Sequence, residues 1–171
     1  WSAILTPYNL GFTPPTFTAF SGAGPFPTCA GIDPSAWPKH MIFCPGDDTI
    51  YWDQDYSAEL SASTGDLSVG YLMSNAYSEA VQTALASRRT SETRALLDAC
   101  LTGAWVAWTI PSDAQRTITL SAGDLDEAVQ TAIILSDPTA DANINGTAFE
   151  AVDAFRTGVL GGLEVCQTKI H

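Results

Sequence analysis

The chain has 171 residues, of which 46% are hydrophobic, so it can bury the core of one domain but is too short for two. Its 19 acidic and 7 basic residues give a formal net charge of −12. This charge argues against nucleic acid or anionic lipid as a partner, because both require clustered Lys and Arg. No apolar run is long enough to span a bilayer, and no cleavable signal pattern is present.

The first 40 residues are rich in Pro, Gly, Thr and aromatic residues, and a Pro-Pro pair excludes a regular helix there. We expect an extended, irregular arm over residues 1–40, with one edge strand near Thr16–Phe20. Two short β-rich runs follow, at 41–43 and 49–52, on either side of a Pro-Gly-Asp-Asp turn. This pattern predicts a β-hairpin.

From residue 66 onward, apolar residues recur at helical spacing. The pattern predicts helices over 67–88, 92–108 and 124–135, and a fourth from about Thr147 to Gly161 and Gly162. Capping-box-like pairs precede the last two helices. We therefore predict a single domain over residues 1–171, of a mainly α (α+β) class. Residues 1–40 form its arm, and residues 41–171 form the hairpin and the helical core.

The four cysteines are even in number, and none has the C-x-x-C spacing of a zinc knuckle or a redox site. Two disulfides in an oxidising compartment are the favoured interpretation, and four buried thiols in a cytosolic protein are the alternative. Of the three possible connectivities we favour Cys29–Cys44 with Cys100–Cys166. The only two histidines, His40 and His171, are expected at the surface.

The stretch YLMSNAYSEAVQ, residues 71–82, places a polar cluster within an apolar helix. Asn75 and Glu79 are four residues apart, so they lie on one face, as the two histidines of an H-E-x-x-H zinc helix do. The intervening position that would carry the catalytic Glu is Ala76. By its chemistry alone, the stretch does not predict a metal site.

Five segments resemble, in order, segments of the neutral zinc metallopeptidase family of bacteria. FCPGDDTIYWD (43–53) resembles the segment before that family's zinc helix, and TGDLSVGYLMSNAYSEAVQ (64–82) resembles a Gly-Asp-led helix ending in A-H-E-x-G-H-H-V-Q. CLTGAW resembles E-L-Q-A-D-C-x-A-G-x-W, LSAGDLDEAVQTAI resembles L-x-x-G-D-x-x-E-A, and NGTAFEAVDAFRTGV resembles H-G-T-x-x-Q-R-x-x-x-F-x-x-G. The resemblance runs over roughly residues 15–166, with the cysteines in place, and implies a zincin-like helical fold.

The same resemblance implies that the zinc chemistry is lost. The family's ligands, catalytic Glu and accessory Asp and His fall on Asn75, Ala76, Glu79, Ala95, Ala99 and Asn145. Alanine can neither ligate a metal nor accept a proton. The resemblance therefore implies a pseudo-enzyme without a cofactor: an inactive, extracytoplasmic metallopeptidase-like domain that binds or scaffolds a protein partner in the cell envelope.

Three alternatives remain open. The first is a hydrolase with altered, non-zinc chemistry that uses Glu79, Asp98 or Tyr77. The second is a metal site rebuilt with Asp98. The third is a peptide, glycan or lipid pocket in the former substrate cleft, lined by Tyr77, Asp98 and Asn145, with Trp52, Tyr71 and Trp105 as further aromatic candidates. A large apolar cleft beside residue 75 would favour the pocket, and a filled cleft would favour a protein-facing scaffold.

Overall fold

The computed structural model describes residues 12–21, 24, 26–29, 41–84, 91–109, 120–136 and 147–169. These residues form three strands and five α-helices. The strands are β1 (Thr16–Phe20), β2 (Met41–Cys44) and β3 (Thr49–Asp53), and the helices are α1 (Gln54–Thr64), α2 (Leu67–Ala84), α3 (Ser91–Thr109), α4 (Asp124–Leu135) and α5 (Ala148–Lys169). The predicted α+β class, mainly helical with a small sheet, is confirmed.

The sheet has the order β1-β3-β2. Strands β2 and β3 form the predicted antiparallel hairpin, in which Cys44 lies opposite Thr49. Strand β1 has the predicted bounds and pairs with β3 in parallel, with Thr16 opposite Thr49. The hydroxyl groups of these two threonines lie 2.8 Å apart. The described part of the N-terminal arm is therefore attached to the domain through the backbone pairing of its predicted edge strand, whose partner and parallel direction the sequence pattern does not indicate.

The sequence pattern predicts no helix before residue 66. This prediction is wrong, because α1 occupies Gln54–Thr64. The helix buries only Ser57 and Leu60, so it has no apolar repeat for a periodicity analysis to detect. Its start is nevertheless encoded, since the Asp53 carboxylate accepts hydrogen bonds of 3.0 and 3.2 Å from two N–H groups of the first turn. Gly65, at φ 122°, ends the helix.

Helices α2, α3 and α4 follow the predicted ranges, apart from residues 85–90, which lie outside the described residues. The fourth helix was predicted to end near Gly161 and Gly162, and the helix does break at Gly162 (φ 66°, ψ −162°). A second helical segment, which was not predicted, continues from this break to Lys169. The disulfide to Cys100 holds Cys166, and therefore the turns beyond this break, against α3. None of the described helices has the length and apolarity needed to cross a membrane.

The α3–α5 pair forms the centre of the helical core. Gly103 of α3 and Gly158 of α5 lie where the two backbones touch, and a methyl group on either would overlap the other helix's backbone. Buried side chains surround this crossing and include Leu97, Leu101, Ala104, Ala154 and Cys166. A second cluster joins α2, α3, α4 and α5 around Tyr71, Val106, Ala128, Ala132 and Phe155.

Candidate functional site

Helix α2 presents two polar regions on different faces, because residues three or four apart share a face. One face carries Asn75, Glu79 and Gln82. The other carries Leu67, Gly70, Ser74 and Tyr77, and it lines a cavity. The two regions have different surroundings.

The first region is a buried polar cluster between α2 and α3. The side-chain amide of Gln82 donates to Oδ1 of Asp98 at 2.6 Å and to the backbone carbonyl of Arg94 at 2.9 Å. Gln82 and Asp98 are 1% and 7% exposed. The Arg94 guanidinium donates to the hydroxyl of Thr83 at 3.1 Å, which adds a further link between the two helices.

Two carboxyl groups of this cluster have perturbed pKa values. Burial raises the pKa of Glu79, while the charge of Arg94 and a hydrogen bond from the Phe43 backbone oppose that rise. Burial, and then the nearby Glu79 charge, hold the pKa of Asp98 well above its ordinary range, despite the opposing effects of Gln82 and Arg94. Like charges in a desolvated space disfavour double ionisation. The pair therefore loses its second proton at a higher pH than two isolated carboxyl groups would.

Tyr71 belongs to the same neighbourhood but is a core residue. It is 2% exposed, and its ring lies 5.5 Å from that of Phe155. Burial, together with the Asp98 charge, raises the pKa of its phenol. Tyr71 is therefore a neutral packing residue at ordinary pH and does not line a cleft.

The positions where the resemblance would place the zinc site are, so far as the structure describes them, half-buried or buried. Ala76 is 5% exposed and packs with Phe43 and Ile50 of the sheet. The Glu79 carboxylate accepts a hydrogen bond from the Phe43 backbone, so the hairpin covers this face of α2. Asn75 and Ala95 are half-buried. Asn145 lies outside the described residues.

The residue at position 99 also does not line a cleft. Ala99 is 3% exposed and belongs to the cluster packed between α3 and α5. Asp98, its neighbour, points instead toward α2, where it meets Gln82. Asp98 and Glu79 are close enough for their charges to interact, and both lie at the interface between α2 and α3.

The two carboxyl groups of this cluster can bind and release protons. The described residues around it include no histidine, since His40 and His171 lie outside the described ranges. Two hydroxyl groups in or beside the cluster have defined bonds: that of Thr83 accepts from Arg94, and that of Ser78 donates to the Ser74 carbonyl at 2.8 Å. A serine bonded to a backbone carbonyl is not activated for attack, because activation requires an adjacent base.

The second region is a cavity of about 470 Å³. Its walls come from α2, with Leu67, Gly70, Met73, Ser74 and Tyr77, and from Phe17, Trp105 and Leu120. Two acidic residues, Asp66 and Asp124, complete the lining. None of the expected zinc-ligand positions is part of it.

Aromatic rings lie along this cavity. Phe17 of β1 stacks on Tyr77 with ring centroids 5.8 Å apart and an interplanar angle of 28°. The ring tip of Trp105 lies against Gly70, 3.1 Å from where a Cβ would stand. Tyr77 and Trp105 thus line this cavity, which lies on a different face of α2 from Asn75 and Glu79, whereas Trp52 pairs with Met41 in the sheet.

Three carboxylates meet at one part of the cavity. Oxygen atoms of Asp66, Asp124 and Glu127 lie within 4.8 Å of one another. Glu127 accepts a 3.0 Å hydrogen bond from the Leu67 N–H, and it approaches so closely that a methyl group at Gly65 would overlap its carboxylate. Sequence reasoning did not single out Asp66 or Asp124 as site residues. The repeated Gly-Asp pair before α2 and α4 was the available signal.

Both predicted disulfides are present. Cys29–Cys44 closes an interval of 15 residues and Cys100–Cys166 one of 66 residues. Each has a sulfur–sulfur distance of a covalent bond, at 2.04 and 2.11 Å. Two disulfides indicate a non-reducing, extracytoplasmic environment.

No protein-family model matches the chain, and no curated protein or solved structure is significantly similar to it. The side-chain arrangement and the segments described from the sequence are therefore the basis for assigning a function. The two relevant features are the closed polar cluster around Glu79 and the open cavity beside Trp105.

Proposed function

We propose that this domain is a non-catalytic binding module that retains a metallopeptidase-like frame without its zinc chemistry. One observation carries the proposal: the face of α2 that would hold zinc is packed against the hairpin. Ala76 contacts Phe43 and Ile50, and Glu79 accepts a hydrogen bond from the Phe43 backbone. A hydrolytic zinc site needs an open coordination position for water and substrate, and this packing leaves little room for one.

The resemblance of five segments to the neutral zinc metallopeptidase family supports the frame. The segments that resemble the family include Gly65-Asp66, Cys100 to Trp105 and Gly123-Asp124, whereas the ligand positions carry Asn, Ala and Glu. A fold that keeps these segments but lacks the zinc ligands is typical of a protein that functions through its surface and not through a metal. The module is extracytoplasmic: secreted, periplasmic or an outward-facing part of an anchored protein. Its partner is a protein of the cell envelope.

A second candidate function is a hydrolase that uses Glu79 and Asp98 as an acid–base pair. The raised pKa values of both groups favour it, since catalytic carboxyls are often perturbed in this way. Burial argues against it, because Asp98 is 7% exposed and hydrogen-bonded to Gln82. We therefore place the altered hydrolase second.

Metal analysis and a hydrolase assay test the catalytic half of the proposal. We expect purified protein, dialysed after exposure to zinc, to hold far less than one zinc per chain, and to release no product from peptide or cell-wall substrates. Glu79→Ala should match the wild type in both assays. Stoichiometric zinc that Glu79→Ala loses, or hydrolysis that it abolishes, would overturn the proposal.

Direct binding tests the other half. Candidate partners are co-purified from the native envelope, and each is then purified and titrated against the isolated domain. Saturable binding of one purified envelope protein is the expected result. If every candidate fails to bind the isolated domain, the role as a protein-binding module is wrong.

A further inference from the structure

We propose that the cavity beside Trp105 binds an organic ammonium ion that carries an apolar tail. The cavity lies on a different face of α2 from Asn75 and Glu79, so this inference is independent of the proposed function. Its volume of about 470 Å³ is typical of a small-molecule site.

The charge of the lining favours a cation. Asp66 and Asp124 line the cavity, and a Glu127 oxygen lies within 4.8 Å of both. Only two basic side chains, Arg94 and Arg156, fall within the part of the chain whose side chains the structure describes, and neither lines the cavity. The chain's net charge of −12 increases the negative potential there.

A purely structural role accounts for only part of this charge. Carboxylates near a helix start can stabilise the helix dipole and its free N–H groups. Glu127 already does so, since it accepts from the Leu67 N–H at 3.0 Å. Asp124 is bonded to the backbone and hydroxyl of Ser121. The Asp66 side chain is exposed and lines the cavity, so its carboxylate is accessible to a ligand.

The shape of the cavity favours a ligand with a head and a tail. Its lining on α2 extends from Leu67 to Tyr77, about 15 Å at 1.5 Å per residue. The carboxylates lie at the Leu67 end, because Asp66 precedes it directly. Phe17 lies at the Tyr77 end, since the two rings are stacked. A charged head and an apolar tail therefore match the two ends of the cavity.

The chemistry of the lining favours an organic cation over a metal ion. Calcium requires six to eight oxygen ligands, and most of this lining is aromatic or aliphatic. Trp105, which contacts Gly70 near the acidic end, can attract an ammonium group over its ring. Ser74 also lines the cavity, and its hydroxyl has no hydrogen-bond partner among the described residues.

Isothermal titration calorimetry at low salt tests the inference with three probes. n-Hexylammonium has the charge and the tail, n-hexanol has the tail alone, and methylammonium has the charge alone. We expect n-hexylammonium to bind at least about tenfold more tightly than either of the other two, because only it uses both ends of the cavity. Its affinity should fall as salt is added, since the carboxylates are partly exposed.

Two pairs of variants locate the binding. Asp66→Asn should weaken n-hexylammonium binding about tenfold, while Asp126→Asn, which removes an exposed charge outside the cavity, should not. Phe17→Leu should weaken it, while Phe26→Leu, another exposed phenylalanine, should not. Amide NMR shifts of Gly70 and Ser74 should move on titration, and the unperturbed remainder of the spectrum reports that each variant is folded.

Four outcomes would overturn the inference. These are no binding of n-hexylammonium to the wild type, equal binding of n-hexanol, equal losses in Asp66→Asn and Asp126→Asn, and shifts that leave Gly70 and Ser74 unmoved. Calcium binding that Asp66→Asn abolishes, without n-hexylammonium binding, would also overturn it and identify a metal site instead.

Discussion

The side-chain amide of Gln82 donates a 2.6 Å hydrogen bond to Oδ1 of Asp98, and this bond joins α2 to α3 inside the protein. The same amide donates to the Arg94 carbonyl at 2.9 Å. Its own oxygen has no partner among the described residues. Gln82 thus serves as a donor to two buried acceptors, and the stability of the α2–α3 contact depends on it.

Replacement of Gln82 by a side chain without a hydrogen-bond donor should lower the free energy of unfolding. In Gln82→Leu, the Asp98 oxygen and the Arg94 carbonyl both lose the bond, and a buried acceptor without a partner costs about 1–3 kcal/mol. We expect the free energy of unfolding in urea to fall by about that amount at pH 7. Gln130→Leu, on the exposed side of α4, is the matched control and should change it little. Equal losses in both variants would contradict this role.

The buried carboxyl of Asp98 predicts a pH dependence of stability. Its pKa in the folded protein is raised well above the ordinary value of 3.8, so the folded state keeps a proton that the unfolded state has released. The free energy of unfolding therefore falls as pH rises from about 4 through the raised pKa. Glu79, whose pKa is also raised, contributes in the same direction.

Asp98→Asn should remove most of that dependence. The carboxamide cannot ionise, and its oxygen can still accept from Gln82. We expect Asp98→Asn to be more stable than the wild type at pH 8 and to approach it at pH 4, in urea unfolding at each pH. Asp153→Asn, an exposed substitution on α5, should follow the wild-type curve. If Asp98→Asn also follows that curve, Asp98 does not bind the extra proton.

The close crossing of α3 and α5 predicts that one added methyl group there destabilises the protein. Gly158→Ala places a methyl group on the Cys100 backbone, and the helices must separate to admit it. Overpacking of a core costs about 1–3 kcal/mol, and backbone contact leaves little room for relief. Gln130→Ala introduces the same residue into an exposed helix position and should be neutral. Thermal unfolding compares the two, and a neutral Gly158→Ala would contradict the crossing.

The two disulfides should contribute unequally to stability. In the chain-entropy model, the bond between Cys100 and Cys166 contributes about 4 kcal/mol and the Cys29–Cys44 bond about 3 kcal/mol, because the loops span 66 and 15 residues. We expect the double serine variant of the longer loop to unfold at the lower urea concentration. The double variant of the shorter loop is its control, and the reverse order would show that packing, not loop length, dominates.

The sequence predicted the elements whose signals are local. Helix α4 has its predicted bounds, because apolar residues repeat along it and an Asp stands at its start. Helix α1 was missed because Ser57 and Leu60 are the only residues it buries. Its one clear signal was Asp53 as an N-cap, and a single capping residue outside an apolar repeat is weak evidence.

The candidate site could be predicted only in part. Glu79 and Asp98 were named from helical spacing, which fixes the face of a residue but not what covers that face. Tyr77 and Trp105 were named because they lie near the segments that carry the resemblance. Coverage of Ala76 by the hairpin is a long-range contact with no local pattern. The cavity likewise combines Phe17 with Leu120, which lie about a hundred residues apart in the chain, so no local motif could reveal it.

The position of the two disulfides also determines how the chain responds to proteolytic cleavage. A single cut anywhere between Cys29 and Cys44, or between Cys100 and Cys166, leaves both fragments covalently joined. Such a nicked chain would migrate as one species on a non-reducing gel and would separate into two after reduction. Only cuts before Cys29, between Cys44 and Cys100, or after Cys166 release a fragment directly. Together the two intervals span about half of the chain's length, so in an environment rich in proteases a single cut within that half does not separate the fragments.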